Sequence, residues 1–217
     1  GGHQQKKKSA PMATNLLLLL VASTLRLGEG GSVIHLRTGK INTDEIDPIQ
    51  EMEVGLQDEH SRLYLVNFKE TTEEGKSAVS GILHEHLEEY IPDNTFVVFA
   101  DHSQIFKIKA LPHVAWVGEF KREYKVSPML KKDASKLNVI LAHDTHRDST
   151  AAHKVAKRMS DRCDVHAKSA TANLMVVDVK VSQDTLKVAS CCAEIEEVLW
   201  VEERVAMKFH MPHGVKR

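Results

Sequence analysis

A repeat divides this sequence. Leu111 to Glu119 reads Leu-Pro-His-Val-Ala-Trp-Val-Gly-Glu, and Ile195 to Glu203 reads Ile-Glu-Glu-Val-Leu-Trp-Val-Glu-Glu. The only two tryptophans, Trp116 and Trp200, fall at the same place in both, 84 positions apart (200 − 116), each flanked by valines. A repeat of this size is one supersecondary unit used twice. A chain of 217 residues has room for two small domains.

The residues before each tryptophan fit one pattern. Leu63 to Phe68 is β-prone and mostly apolar, a strand. Thr71 or Thr72 can cap a helix with Glu73 and Glu74 in its first turn, and Val79, Ile82, Leu83, His86 and Leu87 recur at helical spacing. Pro92-Asp93-Asn94 separates Tyr90–Ile91 from Thr95–Phe99 and makes a hairpin turn, because Pro fixes φ and Asn tolerates the left-handed region. Residues 103–111 form a second helix with Ile105, Ile108 and Leu111 on one face, and residues 114–117 form the closing strand. The order is βαββαβ, the arrangement called ferredoxin-like. It restarts with a strand over 137–142 and a helix over 149–159 that carries Ala152, Val155, Ala156 and Met159 inward. Strands over 165–167 and 174–179 follow, then a helix over 182–195 with Leu186, Ala189 and Ala193 on one face, and a strand over 198–201. The predicted fold is α+β: two tandem ferredoxin-like modules, each an antiparallel sheet with its helices on one face. Val114, Trp116, Val198 and Trp200 are the expected repeat core. Ahead of them, residues 33–37 read as one short strand followed by linker.

The charge balance is 29 Lys and Arg against 30 Asp and Glu, so no global field draws the chain to nucleic acid or anionic lipid. Aromatics at 5% leave few platforms for stacking bases, so no nucleic-acid partner is expected. Lys6, Lys7 and Lys8 precede the apolar run from Leu16 to Leu27, the shape of a secretory signal and too short for a membrane span of about 20 residues. Met12 is an alternative start that removes the basic part. This segment is the only membrane contact expected. Cys163, Cys191 and Cys192 are odd in number, so they cannot all pair within the chain. They read as small apolar core residues, with one of the adjacent pair able to reach Cys163.

Ile34 to Gly39, Tyr90 to Val98, Leu111 to Phe120, Glu123 to Pro128 and Val198 to Glu203, in that order and partly duplicated, resemble the region upstream of the catalytic domain in subtilisin-like serine peptidases of the S8 family. The resemblance covers about residues 33–211 and rests on order and duplication rather than on any single motif. After the signal-like segment (1–32), it implies a strand and linker (33–62), a first pro-region module (63–128), a second (129–211) and a tail (212–217). It implies a propeptide that acts as intramolecular chaperone and autoinhibitor of a protease domain, in cis or in trans. It further implies secretory, extracellular or lumenal localisation, and a C-terminal stretch that enters the substrate cleft. Val205, Met207, Phe209 and Met211 alternate as cleft residues would. The alternative is a standalone pair of ferredoxin-like modules that regulates or binds another molecule. In that case a ligand pocket belongs at the module junction.

Chemistry within the chain is sparse. The Asp-Ser/Thr-Gly, His-Gly-Thr and Gly-Thr-Ser-Met-Ala turns of a subtilisin triad do not occur; His143-Asp144-Thr145-His146 lacks the glycine, and 11 glycines are too few for such a domain. The chain is therefore expected not to be an enzyme by itself, and to need no cofactor or metal. His143, His146, Asp148 and His153 carry ligating atoms but read as a polar loop. Among 13 histidines, His113 beside the tryptophan strand and His210 and His213 in the tail are candidate pH sensors. Leu63, Leu65 and Val97 alternate with Tyr64, Val66 and Val98, so both faces of the first sheet are apolar. With helices on one face only, the other is expected to stand open to a partner whose binding stabilises the module.

Overall fold

The computed structural model describes residues 33–45, 61–87, 89–142, 149–171 and 173–205. All of these belong to one compact unit, residues 31–217. It is a mixed α+β structure with one two-stranded and two four-stranded antiparallel sheets among the described residues.

A hairpin of β1 (Val33–Leu36) and β2 (Gly39–Asn42) comes first. The first four-stranded sheet follows: β3 (Arg62–Phe68), α1 (Glu73–Leu83), β4 (Glu89–Ile91), β5 (Thr95–Ala100), α2 (His102–Lys109) and β6 (Val114–Glu119). A 3-10 turn (Arg122–Tyr124) leads to the second: β7 (Lys136–Leu141), α3 (Ser149–Cys163), β8 (His166–Ser169), β9 (Leu174–Asp178), α4 (Thr185–Ala193) and β10 (Val198–Glu203). The strand orders are β4-β5-β3-β6 and β8-β9-β7-β10, the same connectivity twice.

Local chemistry sets the helix ends. Thr72 Oγ1 accepts from the Gly75 amide at the start of α1. Asp101 and Gln104 form a reciprocal capping box on α2, and Asp184 accepts from the amides of Leu186 and Lys187 on α4. In the first sheet both helices pack on one face, where Val79, Leu83, Ile105 and Ile108 meet Val66, Phe68, Phe96 and Val98. In the second, Ala152, Val155, Met159, Val188, Ala189 and Cys192 meet Leu137, Val139, Leu141, Met175 and Val177.

Four expectations are corrected. Residues 39–42 are a strand rather than linker, because Gly39 takes φ +156° and lets the chain fold back on β1. α1 stops at Leu83, since His84 adopts a left-handed cap with φ 60°; His86 and Leu87 lie beyond it. Leu186 is 37% exposed, because capping at Asp184 turns Thr185, Val188, Ala189, Cys192 and Ala193 inward and leaves Leu186 on the flank. Finally, Cys163 and Cys191 are joined in a disulfide between α3 and α4, and Cys192 alone remains a buried thiol. Sequence adjacency had left open which cysteine of the pair reaches Cys163; the turn of α4 points Cys192 into the core and Cys191 toward α3.

Candidate functional site

The face of the first sheet away from its helices is not open. Leu63, Leu65, Val97 and Trp116 are each under a tenth exposed, and Ile34 and Ile41 of the hairpin lie among them with Phe120 and Ala142. The chain supplies its own cover, which corrects the expectation of a free docking face there. Burying these side chains removes apolar surface from water at about 25 cal/mol per Å², enough to hold a four-residue hairpin arm in place.

The hairpin is also clamped. The Pro92-Asp93-Asn94 turn puts Asp93 at φ 68° and Asn94 at φ 55°, a conformation these residue types tolerate. Asn67 Nδ2, buried in β3, donates to the Asp93 carbonyl at 2.7 Å and to Thr95 Oγ1 at 2.9 Å. The turn therefore presents the Asp93 carboxylate to β1, where it accepts from the His35 backbone amide at 3.0 Å and lies 2.8 Å from His35 Nδ1. These two hydrogen bonds hold the Asp93 carboxyl below its usual range.

The two tryptophans sit at matching points of matching strands. In the first sheet Val117 pairs with Val66 and Trp116 with Asn67; a bulge follows, and Val114 pairs with Phe68. In the second, Val201 pairs with Val139 and Trp200 with Ile140; the same bulge follows, and Val198 pairs with Leu141. Val114 and Val198 face the helices, and both indoles face the opposite side. Their surroundings differ. Trp116 is enclosed, and its Nε1 has no hydrogen-bond partner among the described residues. Trp200 donates from Nε1 to Glu202 Oε2 at 3.1 Å and carries the Arg37 guanidinium 5.4 Å from its ring centroid.

Two concavities flank this junction. A groove of about 600 Å³ runs between the hairpin, β4 and the second sheet, with His35, Arg37, Tyr90, Tyr124, Ile140 and Trp200 on its walls. A second, polar cleft of about 450 Å³ has Lys125 in its lining. Lys125 follows the 3-10 turn. Its carbonyl accepts from the Val201 amide at 2.7 Å and the Ser127 amide donates to the Val201 carbonyl at 2.8 Å, so residues 125–127 add to the edge of β10. That pairing fixes Lys125 with only 6% of its surface exposed. Burial pushes its ammonium pKa down from 10.5 to about 8, against the pull of Glu119, Glu196 and Glu197.

Of the other residues singled out in the sequence, Val205 is 71% exposed just past β10. Met207, Phe209, Met211, His210 and His213 lie outside the described residues, as do His143, His146, Asp148 and the signal-like segment. His113 stands in the turn before β6 with Nε2 3.9 Å from Glu74 Oε1 of α1, on the helix side and away from the junction. Among the described residues no group of three or more His, Cys, Asp or Glu is placed to hold a metal ion, and no helix is long and apolar enough to cross a membrane. His35, Arg37, Asp93 and Lys125 are not among the residues that the sequence singles out as functional groups. Nothing in their local sequence marks them, because each owes its role to contacts made across the fold.

No protein-family model matches the chain. A comparison with curated proteins likewise returns no match.

Proposed function

We propose that the chain is the pro-region of a subtilisin-like serine peptidase, built from two ferredoxin-like modules that assist folding of the protease domain and then inhibit it. The observation that carries this reading is the repeated connectivity: the same strand order twice, both helices on one face, and the same bulge beside Trp116 and Trp200. It joins the sequence resemblance, which depends on that duplication. The Cys163–Cys191 disulfide favours an oxidising compartment, in keeping with secretion.

The self-covered first sheet moves the docking surface to the second. There Leu174, Val176 and Asp178 of β9 are half-buried on the face away from the helices, and His166 and Lys168 of the edge strand β8 are exposed. Val205, exposed just past β10, opens the proposed cleft strand (residues 205–217), which would join the protease by β-augmentation.

The test is inhibition of a subtilisin-like peptidase by the purified chain, with and without residues 205–217. Inhibition that disappears on truncation while the circular dichroism spectrum is retained supports the reading. Absence of inhibition by the intact chain refutes it. A second reading, a standalone binding pair, is favoured by the junction groove of about 600 Å³. It predicts small-molecule binding that Trp200→Ala abolishes, with no effect on any peptidase.

A further inference from the structure

We propose that the cleft over Lys125 takes a small aldehyde or 2-oxo acid carrying a carboxylate, held as an imine on the lysine amine. The inference is independent of the pro-region reading.

Its basis is a largely buried lysine that lines the cleft. Lys125 Nζ makes no hydrogen bond and no ion pair among the described residues, although the residue is 6% exposed. Other lysines behave differently: Lys157 is paired with Asp161, Lys180 with Asp164, and Lys136 with Asp178. The carboxylates around Lys125 pull on its charge without bonding it, and most of them meet an arginine. Glu194 is shared by Arg122 and Arg162, Glu119 lies 3.8 Å from Arg62, and Arg158 takes both Glu196 and Glu197. Glu123, on the 3-10 turn, lines the cleft as well.

The lining sets the chemistry of the cleft. Leu63, Phe120 and Ala193 back a cleft whose lining is otherwise charged, and the burial of Lys125 favours its uncharged amine. A desolvated lysine amine near neutral pH is a nucleophile toward carbonyl carbon. The guanidinium groups of Arg122 and Arg162 share the same lining; both already meet Glu194, and their planar forks carry further N–H donors for a carboxylate on the incoming molecule. The amine nitrogen bonds to the carbonyl carbon, the carbon–oxygen bond breaks, and the oxygen leaves as water with the two amine protons. No electrons are transferred and no oxidant is required.

The full chain is incubated with glyoxylate and cyanoborohydride, which reduces the imine to a stable amine, and adducts are mapped by peptide mass spectrometry. Lys125 should be labelled at least about tenfold faster than the exposed lysines at pH 7, because a larger fraction of it is uncharged. Lys125→Arg should remove this adduct. Arg122→Gln should slow labelling by glyoxylate more than labelling by acetaldehyde, which has no carboxylate. Lys125→Met, spared the cost of a buried charge, supplies a folded control. Adducts spread over the surface lysines with Lys125 among the slowest overturn the proposal. Equal slowing of both aldehydes by Arg122→Gln overturns the carboxylate assignment.

Discussion

The indole of Trp116 lies across the backbone of Gly118, where a methyl group on the glycine α-carbon would overlap ring atoms Cζ2 and Cη2. The corresponding pair in the second sheet is Trp200 and Glu202, and there the indole donates to the carboxylate at 3.1 Å. One tryptophan needs a bare position beside it on the strand; the other needs an acceptor. The same repeated residue is thus held by two different devices.

Gly118→Ala should therefore push the Trp116 ring out of its place between the first sheet and the hairpin. The expected loss is about 1–3 kcal/mol, the usual cost of overpacking, read from urea denaturation. Trp116→Ala should cost more, about 3–5 kcal/mol, because it empties the site. A Gly118→Ala midpoint equal to wild type would mean that the ring has room to move.

Lys125→Met should stabilise the protein, since it replaces a largely buried charge that makes no ion pair among the described residues with an apolar chain of similar length. The pH dependence has a definite sign. The folded pKa is lowered to about 8 from 10.5, so between these values the unfolded chain holds a proton that the folded one has released. Wild-type stability should gain on the order of 3 kcal/mol from Lys125 as pH rises through that window, and the difference from Lys125→Met should shrink accordingly. Denaturation curves of both proteins at pH 7 and pH 10 give the comparison. A difference that stays constant with pH would assign Lys125 an ordinary pKa.

Asp93→Asn should loosen the hairpin without unfolding the sheet, because Asn accepts the same left-handed backbone while offering β1 a weaker, neutral acceptor. Amide exchange in β1 and β2 should accelerate, with β3 and β5 unchanged. In wild type the lowered Asp93 pKa means that this contribution is complete above the ordinary value of 3.8 and is lost as pH falls through the folded value.

Thiol chemistry should follow the cysteine geometry. With Cys163 and Cys191 bonded and the Cys192 thiol buried and pushed up to about 12, the native protein should resist alkylation, and denaturant without reductant should expose one thiol. Replacing both bonded cysteines by Ser should cost about 3 kcal/mol, as expected for a loop of 28 residues. Rapid labelling of native protein would contradict this arrangement.

The local pattern alone determined a good deal. Periodicity placed the strand–helix alternation, because residues such as Val79, Ile105, Val155 and Met159 must face a sheet to leave water. Turn chemistry placed Pro92-Asp93-Asn94, and the repeated Val-x-Trp-Val placed the two closing strands in equivalent positions. What tertiary structure decided were the choices between equally apolar alternatives. Alternation gave both faces of the first sheet the same character, and only the return of residues 33–42 across it made Leu63, Leu65 and Val97 interior. The spacing of Cys191 and Cys192 allowed either to bond, and the direction of α4 selected Cys191. Lys125 looks like any surface lysine until β10 pairs with residues 125–127 and carries it out of water. In each case the deciding contact joins residues far apart in the chain, and a local pattern holds no information about such contacts.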